Sequence, residues 1–403
     1  MSFNIILEEE NIALKKENSS NIEETTNKEI TTNPNLEPKK ERNSSFELLR
    51  IIFMFLIVLF HIMFHTKSLP KLSYQNYKRI INGNYIFLRI ISNYGSLGDI
   101  IFIMISGYFS IKRTNFHYNK FIIIITQVYF YHFLLLYVGL KLEDKYRDIE
   151  PLAQKRGSYY MPLSTSLGHW FAQQYLVLLI FMPYINTGLL SLTQQQYKNL
   201  VMLLISCLSF VKPLLNCFQI STSLFTLNLF DQMIYSYIIG GFLRISETRH
   251  KLIIIIVGIL SFTMTISLEI LFDNLAIDYN QYFWITIQDQ FSHAIYSIYN
   301  IFAGIGFIYL VKDFNFYSKI INFISPSTFG IYLIHANKNI APFIYNGWFK
   351  TDDYNQGYFF MKYFLKAFII FFVCLFIDII RRFTIGKLVE IILNFFNNKF
   401  RKT

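Results

Sequence analysis

Apolar runs long enough to cross a lipid bilayer recur along nearly the whole of this chain, and they restrict it to one kind of fold. A crossing helix needs roughly 20 predominantly apolar residues. Stretches such as Asn43–His65, 119–140 and 251–272 approach that length with few charges, the last two containing the runs Ile122–Ile125 and Ile253–Ile256. Composition agrees: 53% of the residues are hydrophobic and 18% aromatic, against 16% charged. Such a balance excludes an ordinary soluble domain. The sequence therefore predicts an all-α fold, a polytopic transmembrane helical bundle.

Windows of apolar residues place about ten spans. They fall near 45–65, 96–111, 119–140, 169–190, 198–215, 228–245, 251–272, 284–311, 321–345 and 359–381. The second is short and can extend back towards Tyr85; the fifth is interrupted near Pro213. Residues 1–42 are polar, lack the pattern of a signal peptide and read as a disordered cytoplasmic tail. The bundle itself is expected over 43–383. Residues 384–403 read as an interfacial helix, with Ile385, Leu388, Val389, Ile392 and Phe396 set against Lys387, Asn394 and Lys399.

Orientation follows from the basic residues. With the N-terminus inside, the inner face receives Lys39, Lys40, Arg42, Lys112, Arg113, Lys120, Arg244, Arg249, Lys251, Arg381, Arg382 and Lys387. An even number of spans returns the C-terminus to the cytoplasm; only the basic segment from Lys67 to Arg89 runs against the pattern. The net charge of +11 then points to anionic membrane lipid as a partner, and not to nucleic acid. Cys207, Cys217 and Cys374 show no disulfide or metal-binding spacing.

Within the first span, Arg50 and His61 are eleven residues apart, about 16 Å along a helix and only about 20° from alignment. They share one face near opposite membrane surfaces, with Glu47 close to the same stripe. Ionisable groups in a span are costly and usually face the bundle interior. Both residues also fit a plain role as interfacial anchors.

Four further stretches combine polar groups with membrane depth. Gly98–Phe109 carries Asp99, Ser106 and Tyr108, and Asp99 is placed to pair with an outer-side histidine. The loop that follows holds Lys112, Arg113, His117 and Lys120, a set that marks the inner face and can also bind phosphates. Leu167–Pro183 brings His169, Trp170, Gln173, Gln174 and Tyr175 in from outside, and Phe329–His335 ends another span with a histidine. Gln288–His293 is too polar for lipid and must face protein or water. No nucleophile elbow, phosphate-binding glycine loop or zinc-binding histidine pair occurs. Histidine with arginine inside a bundle suits group transfer, because histidine takes a proton from a hydroxyl or itself carries an acyl group, and arginine holds a phosphate or carboxylate.

These motifs together resemble the acyltransferase-3 superfamily, the integral-membrane O-acyltransferases of bacterial surface sugars. Glu47-Leu-Leu-Arg50 followed by His61 is similar to its first-helix signature. Gly98–Phe109, Gly168-His-Trp-Phe with Tyr175 and Pro183, and Phe329-Gly-Ile-Tyr-Leu-Ile-His335 are similar to its later motifs, in order over residues 43–381. The resemblance implies a multi-pass protein of the bacterial cell membrane that moves an acyl group, commonly acetyl, from cytoplasmic acetyl-CoA to a sugar hydroxyl. The acceptor would be an envelope carbohydrate or glycolipid, and no cofactor would be permanently bound. It implies catalytic roles for His61, Arg50 and Glu47, donor contacts from Lys112, Arg113, Lys120 and Tyr108, and substrate contacts from Asp99, Ser106, His169, Trp170, Tyr175 and His335. Many members carry an arginine pair entering the third helix, where this chain has Asn119-Lys120. With no hydrolase-like domain after the last span, the bundle and its loops are expected to recognise the acceptor. A transporter or lipid-sugar flippase would use the same stripe as a translocation path, but such folds carry internal repeats, and the two halves of this chain show none that is convincing.

Overall fold

The computed structural model describes residues 43–69, 82–145, 169–218, 229–279, 282–288, 290–291, 297–348 and 357–400, and every regular element among them is helical. Six helices are long and apolar enough to cross a membrane: Ser45–Thr66, Gly83–Ser110, Tyr118–Leu142, Gln194–Cys217, Lys251–Ala276 and Phe359–Phe396. The protein is an integral membrane helical bundle. Residues 1–42, Gly168, Asp289, Ser292 and His293 lie outside the described residues.

Helix α1, Ser45–Thr66, is the central element. The Asn43 carboxamide accepts the Ser45 N–H at 3.0 Å, satisfying one of the donors a helix start leaves unpaired. At its other end Lys67 turns left-handed, φ 51°, and its N–H closes on the Met63 carbonyl. Residues from Phe46 to Met63 bury one broad face, whereas Ile52 and Phe64 point outward. Outward apolar side chains are what a lipid-facing surface requires.

The second span is two helices, α2 (Gly83–Ser92) and α3 (Tyr94–Ser110), broken at Asn93. Helix α4 is Tyr118–Lys145 and α5 is Trp170–Leu190. Gln194–Leu204 (α6) runs through a widened π-helical segment, Ile205–Val211, into α7, Lys212–Cys217. The interruption expected at Pro213 is this widening immediately before it, since proline has no N–H to offer and crowds the preceding turn.

Helix α8 (Leu229–Ile245) lies so close to α3 that a Cβ at Gly107 would strike the Tyr237 carbonyl, and one at Gly240 the Met104 backbone. Small residues permit this approach, which replaces the hydrophobic effect as the driving force within lipid. Helix α9, Lys251–Tyr279, follows.

Two expected spans are corrected. Residues 284–311 are not one helix: α10 (Tyr282–Gln288) is separate from α11 (Ile298–Lys312). Gln288 instead turns its carboxamide into the protein, donating to the Glu269 carbonyl at 2.9 Å and to Asp273 at 3.0 Å. Residues 321–345 are likewise divided into α12 (Lys319–Ile324), a 3₁₀ turn at Ser325–Ser327, α13 (Thr328–His335) and a π-helical turn at Phe343–Trp348. Pro326 accounts for the first break. At the second, Asn337 accepts the Asn339 N–H through its side chain and turns the chain. Helix α14, Phe359–Arg381, continues through π-helical Arg382–Gly386 into α15, Lys387–Phe400.

One buried ion pair joins two spans, and a second, within α14, is joined to α4 by a tyrosine. Arg89 of α2 forks onto Asp273 of α9 at 2.6 and 2.7 Å, and Arg381 bonds Asp378 at 2.8 Å with Tyr131 of α4 donating to the same carboxylate at 2.7 Å.

Candidate active site

The stripe on α1 has a partner running parallel to it. At one end Ser325 donates to Glu47; at the other His335 meets His61. The loop before α12 is stitched to the start of α1, with the Ser44 N–H donating to the Phe316 carbonyl at 2.9 Å and the Ser318 N–H to Ser44 Oγ at 2.8 Å.

At the first end, Arg50 Nη1 donates to both Glu47 oxygens, at 2.8 and 3.0 Å. Glu47 is buried, and the Arg50 guanidinium lies 5.8 Å from the centre of the Phe109 ring. One carboxylate thus fixes one arm of the guanidinium, and 21% of the arginine side chain stays accessible. Tyr175 of α5 reaches this region: Ser106 and Lys120 both lie 3.4 Å from its hydroxyl, as donors to it. The resulting cationic and hydroxyl groups suit an anionic or carbonyl-bearing ligand.

At the second end the hydrogen bonds fix the protons. The Ile331 carbonyl only accepts, so His335 Nδ1 carries the hydrogen it shares with that oxygen at 2.7 Å. In a neutral ring His335 Nε2 then holds a lone pair, and the 2.9 Å contact with His61 Nδ1 needs its hydrogen on His61. His61 Nε2 is left as a lone pair, with no partner among the described residues. Such a nitrogen can take a proton from a hydroxyl. His335 is fully buried, whereas His61 is only partly so. His169, just before α5, accepts from Asn337 Nδ2 at 3.0 Å. Trp170 lines a small void with Asp99, Phe171, Gln232 and Ser236.

Several expected placements change. Asp99 forms no ion pair with a histidine among the described residues; its neighbours are that tryptophan and the polar groups of α8. Tyr108 does not open onto the Lys112–Lys120 loop. Its hydroxyl accepts from Arg244 Nη1 at 3.1 Å, with the guanidinium over its ring at 5.0 Å. The loop itself is pinned by Asn186, which donates to the Ser110 and Arg113 carbonyls at 2.7 Å each. Arg113, His117 and Lys120 surround a cavity of only about 20 Å³, while Lys112 is exposed and outside it. His65 stacks on Tyr345, ring centres 4.8 Å apart, and its ring also lies 5.8 Å from that of His61, so it borders the paired histidines.

Ser325, Asn337 and Arg244 contact the candidate residues Glu47, His169 and Tyr108 and were not singled out as site candidates in the sequence. The serine follows an unremarkable apolar run, and the arginine reads as a membrane-face charge. Asn337 alone offered a signal, two residues beyond His335.

Residues 43–380 match the profile of the acyltransferase 3 family, described as an acyltransferase domain. No curated protein and no solved structure matches the chain.

Proposed function

The chain belongs to the acyltransferase 3 family of membrane acyltransferases, and from that premise we propose that it transfers an acetyl group from acetyl-CoA to a hydroxyl of an envelope sugar or glycolipid. The observation that carries this reading is the relay from the Ile331 carbonyl through His335 to His61, which leaves His61 Nε2 unprotonated.

In the reaction, His61 Nε2 removes the proton of the acceptor hydroxyl as its oxygen attacks the thioester carbonyl carbon. The C–S bond breaks, and the departing sulfur takes the proton back from His61. No charge need accumulate on His335, which acts by holding the tautomer and ring of His61, as a partner to a catalytic histidine does. Arg50, steadied by Glu47, sits at the donor side with Lys120 and Tyr175. Lys112 and Arg113 extend that side for the donor phosphates. Asp99, Ser106, His169 and Trp170 border the path taken by the substrates. The span on which Arg50 and His61 sit then joins a cytoplasmic donor entrance to an acceptor site facing the opposite surface of the bacterial membrane.

Substituting His61→Ala and supplying acetyl-CoA with an envelope glycan extract tests this reading. Acetyl transfer is expected to vanish while the purified variant remains monodisperse and helical. Wild-type transfer by that variant would overturn the mechanism.

A further inference from the structure

A cavity of about 370 Å³ lies outside the acyl-transfer path, between α4 and the junction of α14 with α15. Its wall carries Arg381, Arg382 and Lys387 against one acidic residue, Glu390. With Asp378 set against Arg381 behind the wall, the three cations still outnumber the carboxylates and the cavity keeps a net positive charge.

The cations are fixed in place by their surroundings. Arg381 spends Nε on Asp378 at 2.8 Å and faces the Tyr131 ring at 5.9 Å. The Tyr131 hydroxyl lies beside the same guanidinium, which lines the cavity wall. Arg382 is anchored by donating from Nη1 to the Phe323 carbonyl at 2.7 Å and to Ser327 at 3.0 Å. Lys387 rests over the Phe383 ring at 5.7 Å, and no ion pair neutralises it among the described residues.

The surroundings identify what fills such a site. Ile123 and Phe383 at its rim are exposed, and α15 presents Leu388, Ile391, Ile392, Phe395 and Phe396 to the exterior. A helix with that exposed apolar face lies in the membrane interface, so the cavity opens at headgroup level with hydrocarbon beside it. We propose that it binds the phosphate of an anionic membrane lipid, phosphatidylglycerol-like in charge, with the acyl chains running down past Ile123 and Phe130. The phosphate sits in the fork of Arg381 and close to Lys387, where charge-assisted hydrogen bonds are strong. This inference does not depend on the acyl-transfer reading.

The test is native mass spectrometry of the full chain in detergent, with added phosphatidylglycerol or phosphatidylcholine. Wild type is expected to retain phosphatidylglycerol preferentially. Each cation removed should weaken retention about fivefold, so Arg382→Gln with Lys387→Gln should reach roughly 25-fold. Glu390→Gln removes the opposing charge and should strengthen retention, a gain that misfolding cannot mimic. Lys251→Gln, a surface cation elsewhere, should change nothing. Equal retention by wild type, Lys387→Gln and Glu390→Gln overturns the proposal. So does displacement of the lipid by excess coenzyme A, which would give the cavity to the donor's phosphates instead.

Discussion

Replacing Arg89 by alanine should destabilise the protein by about 3 kcal/mol, whereas removing an ion pair of the same length on the surface should cost almost nothing. Arg89 and Asp273 are 7% and 0% exposed, with Nη2 and Oδ1 2.6 Å apart. Truncating one member of such a buried pair costs about 3–5 kcal/mol, because the remaining charge keeps its desolvation penalty. Asp273 retains Tyr85 at 2.6 Å and Gln288 at 3.0 Å, two neutral donors that hold the loss to the lower end of that range. Arg89→Lys keeps the charge but loses the fork, so about 1.5–3 kcal/mol, one charged hydrogen bond, is expected. Lys251 and Asp313 lie 2.7 Å apart but are 47% and 56% exposed. For Lys251→Ala the cost is about 0–1 kcal/mol. Replacing both Arg89 and Asp273 by leucine should recover part of the loss, since neither member is left charged without the other, although Tyr85 and Gln288 lose their acceptor. Denaturant titrations of the purified chain in one detergent, followed by tryptophan fluorescence, compare all four variants. Equal losses for Arg89→Ala and Lys251→Ala would refute the reasoning, as would a double variant no more stable than Arg89→Ala.

His335→Leu removes the acceptor that fixes the His61 tautomer and should lower kcat about 100-fold with little change in KM; His335→Gln, whose amide oxygen can accept, should restore part of it in initial-rate assays. Glu47→Gln weakens the hold on Arg50 by roughly the 1.5–3 kcal/mol of a charged hydrogen bond, and KM for acetyl-CoA should rise at least tenfold, with kcat less affected. Gly240→Val drives a side chain into the Met104 backbone and should reduce the monodisperse fraction on size exclusion, whereas Gly357→Val, with no heavy atom within 4 Å of its Cβ position, should not.

Much of this architecture was legible in the sequence because lipid imposes a simple rule on length and polarity. The first, third and last expected spans match helices within a few residues, and Arg50 and His61 lie on one of them, Ser45–Thr66. What escaped were breaks caused by long-range satisfaction of polar groups. Gln288 turns inward because the Glu269 carbonyl and Asp273 accept from its amide, and neither partner is visible from its neighbours in the chain. Pro326 announced a disturbance, but the short turn that delivers Ser325 to Glu47 depends on where α1 lies. Arg244 read as a membrane-face charge because its aromatic partner, Tyr108, lies 136 residues away. A histidine motif can be found by pattern, yet its tautomer is decided by a carbonyl one turn earlier on its own helix.

The parallel alignment of α1 with α12 and α13 makes the two ends of the site mechanically dependent on each other. Ser325 grips Glu47 at one end and His335 grips His61 at the other, so the pair of helices behaves like a ruler clamped at two marks. Any sliding of one along the other displaces both contacts in the same direction. Disturbing the Glu47–Arg50 end should therefore displace the His61–His335 contact as well, and in the proposed acyl transfer that coupling links the donor end to the acceptor end without a separate moving domain.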